Sequence, residues 1–194
     1  MWDERYSAKE YVYGKLPNDF LRQSSHHIPQ GKVLCLADGE GRNSVWLAEQ
    51  GYEVTSVDAS APGMAKAKAL ASERGVVVTT IVSDLADFKI EAGTWDGIVS
   101  IFCHLPPALR KSVHSDVVAG LKTGGTLVLE AYTPDQLQLG TGGPQVPELT
   151  MTLDGLKTEL KGLDFLYADE MQREVVEGIY HTGTGAVVQL IAVK

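Results

Sequence analysis

Three short stretches of the sequence carry residue types suited to binding a nucleoside. The first is Asp38-Gly39-Glu40-Gly41, directly after the apolar run Val33-Leu34-Cys35-Leu36-Ala37. Glycines at 39 and 41 permit positive φ and let the backbone come close to a ligand. A turn of this kind after a first strand is where open α/β sheets bind nucleotides. The second is Asp58, which closes a β-branched run 17 positions after Gly41. A carboxylate there accepts hydrogen bonds from both ribose hydroxyls. The third is Asp84-Leu85, after another β-branched run: the acid suits an exocyclic adenine amine and the leucine suits the ring. Each has a plainer alternative. Gly-x-Gly also occurs in ordinary turns, and Asp58, Ser60 and Asp84 are helix-capping types. The third glycine of a dinucleotide fingerprint would stand at 44, which is Ser44, and this weighs against NAD.

These stretches need a scaffold that brings strand ends together. Short β-branched or apolar runs at 32–37, 53–58, 76–82, 95–102 and 126–132 alternate with helical patterns at 42–50, 61–74 and 106–120. Gly51 and Gly75 stop the first two helices, and Pro106-Pro107 begins the third. Strand–helix alternation predicts a parallel sheet covered by helices on both faces. Gly124-Gly125 reads as a turn into the fifth strand. The tail breaks the rhythm. A Gly- and Pro-rich loop at 134–150 leads to a helix at 153–160. Strands at 163–168 and 186–193 then follow without room for a crossover, so they pair antiparallel. Residues 173–180 are placed to lengthen the first arm of that hairpin. The expected fold is α/β: a parallel sheet finished by an antiparallel hairpin.

Composition narrows the class. The chain has 194 residues, 44% hydrophobic and 22% charged, as in an ordinary globular domain. With 17 basic and 25 acidic side chains its formal charge is −8, and it has no long basic cluster, so nucleic acid is not the expected partner. Cys35 and Cys103 both lie in apolar runs, which suits a reducing compartment and neither a metal site nor a disulfide framework. No signal-peptide pattern opens the chain, and no apolar run reaches the length of a membrane span. A cytoplasmic protein, monomeric or weakly dimeric, with no membrane partner is the expectation.

Over essentially its whole length the sequence resembles the class I S-adenosylmethionine-dependent methyltransferases, of the small tellurite-resistance (TehB-like) type. The stretches that carry the resemblance are Gly39-Glu40-Gly41-Arg42-Asn43-Ser44, Val57-Asp58, Ser83-Asp84-Leu85, Trp95-Asp96-Gly97-Ile98-Val99-Ser100 and Leu121-Lys122-Thr123-Gly124-Gly125-Thr126. The resemblance implies a Rossmann-like, doubly wound, mostly parallel seven-stranded sheet with an antiparallel C-terminal strand, in one domain over 1–194: a helical lid segment at 1–30, a cofactor-binding core at 31–133, and a substrate-side loop, helix and hairpin at 134–194. It implies S-adenosylmethionine as cofactor, S-adenosylhomocysteine as product, and a small soluble methyl acceptor. Ala37, Gly39, Glu40 and Gly41 would approach the amino-acid end of the cofactor, Asp58 with Ala59 the ribose, and Asp84 with Leu85 the adenine. Two positions depart from the pattern. Ala37 stands where the family has glycine, and Cys35 where it has a carboxylate that orients the ammonium group. Asp38 and Glu40 are the neighbouring acids available to replace it.

Methyl transfer is an in-line displacement, in which the protein mainly aligns the acceptor and excludes water. His181 precedes the last strand, where tellurite-resistance members carry an active-site histidine. Thr182 replaces the arginine that follows it there, so anion recognition is not carried over. His104, after the fourth strand, is the second catalytic candidate. A loop-surface role for His181 and a turn-stabilising role for His104 are the alternatives. Tyr11, Gly142 and Gly143 are substrate-side candidates, and Tyr6 and Tyr13 belong with Tyr11 to the lid segment. Glu130 reads as a structural strand residue, and His26-His27 lacks a third partner for a metal. The competing readings are an NAD(P)-linked dehydrogenase and a non-catalytic S-adenosylmethionine-binding protein.

Overall fold

The computed structural model describes residues 2–178 and 181–194. Seven strands make one sheet: β1 Lys32–Leu36, β2 Glu53–Asp58, β3 Val78–Val82, β4 Trp95–Ile101, β5 Leu121–Tyr132, β6 Asp164–Val176 and β7 Thr182–Val193. Six α-helices accompany them: α1 Trp2–Tyr6, α2 Asp19–Ser24, α3 Arg42–Glu49, α4 Ala61–Glu73, α5 Pro107–Gly120 and α6 Leu153–Glu159. The strand order is β3-β2-β1-β4-β5-β7-β6. The first five strands run parallel, and β7 pairs antiparallel with both β5 and β6. This differs from the dinucleotide-binding order, in which a parallel sixth strand follows the fifth, and so counts against the dehydrogenase reading.

Local chemistry accounts for the elements. In β1, Val33 through Leu36 are all buried, as a strand covered on both faces requires. Gly41, in the left-handed region at φ 84°, starts α3. Ser60 caps α4, its Oγ accepting from the Gly63 N–H at 3.3 Å, and Pro62 occupies the first turn. Leu34, Leu36, Ile98, Leu127 and Leu129 pack under α5 and α6 on one face. Val33, Cys35, Val99 and Val128 pack under α2, α3 and α4 on the other, while Cys103 packs on the first face; both thiols are buried and free. No helix among the described residues is long and apolar enough to cross a membrane.

Three expectations change. No helix lies between β3 and β4; residues 83–94 cross in turns, with Asp84 starting one through Ala86. β5 begins at Leu121, and Gly124-Gly125 lie within its ladder, held by the Gly124 N–H to Lys194 O and the Lys194 N–H to Gly125 O. The hairpin arms are longer than expected, because β6 runs unbroken to Val176. The last two residues of the proposed 173–180 extension, Ile179 and Tyr180, lie outside the described residues.

Candidate functional site

The glycine turn sits beyond the carboxyl end of β1, next to β4, where the order of strands reverses. Ala37 takes φ 48°, a left-handed conformation that glycine would adopt with less strain. The turn is tied to β2: Asp58 accepts the Gly39 N–H at 2.9 Å and the Ser60 N–H at 2.8 Å. Asp38 accepts from the Ser56 hydroxyl at 2.8 Å. Burial, and then the Asp58 charge, push the Asp38 carboxyl up to about 6 against the opposing bonds from Ser44 and Ser56. Burial also raises Asp58. Two carboxylates therefore stand close together at the turn. Ala59 and Asp84 are exposed at the next two strand ends, and Leu85 is buried in the core.

A strap formed by α1 and residues 7–18 crosses this turn. Glu40, expected to face a cofactor, turns instead to the strap. Its carboxylate accepts the Val12 N–H at 2.8 Å and the Tyr13 N–H at 3.3 Å, and it pairs with Lys66 at 2.7 Å. It is 3% exposed, so its lone pairs are spent on the chain itself. Tyr11 lies on α4, its hydroxyl donating to the Lys66 carbonyl at 3.0 Å. Tyr6 is the aromatic side chain nearest the glycines: a Cβ at Gly39 would stand 2.5 Å from its hydroxyl, and one at Gly63 3.0 Å from its ring. Burial, then the Asp58 charge, hold the Tyr6 phenol far above its ordinary range.

The strap leads directly to His181. Tyr13 lies 4.7 Å from the His181 ring, Phe102 5.0 Å and Tyr132 5.4 Å, measured between centroids. Phe102 at the end of β4 takes φ 53° and stacks on Tyr132 at 4.5 Å. Gly143 brings its loop against Tyr132; a Cβ there would stand 2.6 Å from that ring. The Gly142 carbonyl accepts from Gln136 at 3.0 Å. His181 Nδ1 is buried with no hydrogen-bond partner among the described residues. His104 stacks on Tyr132 but is fully engaged: Nδ1 lies 2.8 Å from the Leu149 carbonyl, and Nε2 accepts the Tyr132 N–H at 3.4 Å. Burial pushes its imidazolium down to about 4, so it is a neutral brace with neither nitrogen left for proton transfer.

Below the rings lies a buried ionic network. Arg173 holds Glu130 through two bonds, at 2.6 and 2.7 Å, and reaches Glu177 at 3.3 Å. Glu177 also pairs with Arg42, the first residue of α3. Asn18 donates to both carboxylates, at 2.5 and 2.7 Å, and Gln189 to Glu130 at 2.7 Å. One network thus joins the strap, the helix after the glycine turn and the hairpin that carries His181. Phe102 and Tyr132 escaped the sequence reading, although their places just beyond or at the carboxyl ends of β4 and β5 would have flagged them.

A family model described as a methyltransferase domain matches residues 33–125, from β1 into β5. Residues 33–125, just under half of the chain, are thus similar to a methyltransferase domain. The chain is similar to the probable S-adenosyl-L-methionine-dependent methyltransferase TehB of Haemophilus influenzae, with 27% identity over 175 residues, covering 89% of this chain and 59% of that protein. It is also similar to a 2-heptyl-1-hydroxyquinolin-4(1H)-one methyltransferase of Mycobacteroides abscessus, with 30% identity over 120 residues, or 56% and 53% of the two chains. The chain thus spans little more than half the length of these relatives. The crystal structure of TehB from Haemophilus influenzae superposes with a TM-score of 0.75 at 23% identity, over 100% of this chain and 67% of that one. The TehB relative is named for its dependence on S-adenosyl-L-methionine. The donor set suits such a cofactor, whose ammonium and sulfonium groups are cationic: the carboxylates of Asp38 and Asp58 lie beside the glycine turn.

Proposed function

We propose that this chain transfers a methyl group from S-adenosylmethionine to a small-molecule acceptor. One observation carries the reading: the glycine turn of β1 is clasped to Asp58, and the same strap that covers it leads to the aromatic cluster around His181. S-adenosylmethionine, when bound, supplies a methyl group made electrophilic by its sulfonium. The residues do the rest. Asp58 accepts from the ribose hydroxyls through lone pairs not spent on Gly39 and Ser60, with Ala59 beside it. Asp84 and Leu85 form the adenine end, and Ala37, Gly39 and Gly41 the amino-acid end. Tyr6 closes that end from above and excludes water. His181 meets the acceptor, with Gly142 and Gly143 holding the loop on its far side.

In this reading residues 1–30 close the site, 31–133 bind the cofactor, and 134–194 hold the acceptor. Small-molecule acceptors are supported by the relatives' names, a hydroxyquinolone methyltransferase and a glycine/sarcosine N-methyltransferase. A cytoplasmic protein, monomeric or weakly dimeric, without a nucleic-acid or membrane partner, completes the proposal.

Calorimetric titration with S-adenosylmethionine, S-adenosylhomocysteine and NADH tests it. Saturable binding of the first two without NADH is expected; NADH binding alone overturns the reading. A second reading, cofactor binding without turnover, is favoured by the buried, apolar Cys35 in place of the family's carboxylate. It requires binding with no methylation across a panel of acceptors.

A further inference from the structure

The sheet has two edges, and they differ. At one, β3 spans five residues, a length that by itself limits pairing with another chain. At the other, β6 spans 13 residues, and among the described residues its one strand partner is β7. Its outer side therefore presents backbone N–H and C=O groups with no strand to receive them. Long edges are ordinarily blunted by proline, lysine or a bulge. β6 contains neither proline nor lysine, and its one register shift, between Phe165 and Tyr167, lies near its start. Leu166 is 59% exposed and Val176 76%, with Tyr167 at 37%.

A second copy of the strand can add to such an edge across a two-fold axis normal to the sheet. That axis preserves the two faces, so residues directly opposite point to the same side and the axis passes through a residue. Charge then sorts the registers, because like charges directly opposite are destabilising. An axis at Asp169, Glu170 or Arg173 sets that residue against itself. An axis at Gln172 sets Glu170 against Glu174. An axis at Met171 makes no like-charged pair: Asp169 faces Arg173, Glu170 faces Gln172, Ala168 faces Glu174 and Tyr167 faces Val175. Arg173 is anchored to Glu130 in its own chain, so what it adds across the axis is an opposite charge rather than a new bond. Leu166 and Val176, the most exposed large apolar side chains of the strand, fall opposite each other at both ends. Axes nearer Asp164 centre the pairing beside the irregular 165–167 stretch, and axes nearer Val176 pair few residues.

We propose that two copies of this chain dimerise through β6, the two strands pairing antiparallel about Met171 so that both sheets become one continuous sheet. The occupant of the edge is a second copy because one register of the strand complements itself in charge and in apolar contact. A single strand pair is small beside the about 1,600 Å² of a standard interface, so association is weak and depends on concentration. The dimer holds whatever chemistry the glycine turn serves, since β6 takes part through its outer side alone.

Sedimentation velocity of the full chain over a wide range of concentration tests this. The mass rises from one chain toward two as concentration increases. Asp169→Arg, at an exposed position, turns both Asp169–Arg173 pairs into like-charged ones and weakens association by about tenfold. The register is read by cross-linking. Cys35 and Cys103 are buried, so an introduced surface thiol is the one that reacts. Under oxidised glutathione, Met171→Cys joins two chains through a disulfide across the axis, where facing Cα atoms are about 4.5–5.5 Å apart. Asp169→Cys does not, because its two copies stand four positions apart along the strands, about 13 Å.

A wild-type chain that stays monomeric at every concentration overturns the proposal. A dimer that Asp169→Arg leaves unchanged overturns it too, by placing the contact elsewhere on the molecule. Cross-linking through residue 169 as readily as through residue 171 overturns the register. None of these readouts uses the cofactor, so their failure leaves the methyl-transfer reading standing.

Discussion

Asp58 serves two purposes, and its substitution separates them. It pins the glycine turn through the Gly39 and Ser60 N–H groups, and it offers its remaining lone pairs to a ribose. Asp58→Ala is expected to weaken S-adenosylmethionine binding roughly tenfold to a hundredfold, the scale of one or two charge-assisted bonds. Unchanged affinity in titration calorimetry would remove Asp58 from the cofactor site. His104 makes a prediction about stability. Its folded pKa, about 4, lies below the ordinary 6.5, so the unfolded chain binds more protons between those values. Stability is then complete above pH 6.5 and falls as the pH drops toward 4, by about 2 kcal/mol at pH 5. Asp38, pushed up to about 6, slopes the opposite way, so the His104 contribution is read as a difference. Urea unfolding of wild type and His104→Leu at pH 7.5 and 5 supplies it; equal losses in both would refute the brace.

The elements divide into those that local pattern announces and those that only long-range contact explains. Glu177 belongs to the second kind. It answers Arg42, Arg173 and Asn18 at once, and its N–H donates to the His181 carbonyl at 2.7 Å. Glu177→Ala leaves two buried guanidiniums under-partnered and is expected to cost about 3–5 kcal/mol in denaturant unfolding. Glu40→Ala acts elsewhere, by freeing the strap. Trypsin is expected to cut after Lys9 and Lys15 severalfold faster, and protection equal to wild type would show that the strap is held by other means. The parallel core, the glycine turn and the hairpin were legible because each repeats a local pattern: β-branched runs, Gly after a strand, two strands with no room for a crossover. The Glu177 network was not, since its members come from five separate elements; Glu130 reads as a structural strand residue, but nothing beside it in the chain announces its partners. His104 misled for the same reason. Its partners, Leu149 and Tyr132, lie 45 and 28 positions away, and nothing beside His104 in the chain announces them.

At the scale of the molecule, protection is expected to follow position in the sheet. β1, β4 and β5 are paired on both sides and covered on both faces. Strand β6 lies at the edge, and residues 2–4 and 7–10 of the strap are exposed. Hydrogen exchange should therefore be slowest in 32–36, 95–101 and 126–132 and fastest in 2–16, with S-adenosylmethionine slowing the strap most. A strap that already exchanges as slowly as β1 would contradict this. The same segment has a thermodynamic consequence. Residues 12 and 13 rest on Glu40 at one end of the site and abut Gly178 and His181 at the other. Seating that segment is one event shared by two ligands, so whatever factor the cofactor adds to the acceptor's affinity, the acceptor must return to the cofactor's. In the Glu40→Ala protein both factors should fall together toward one.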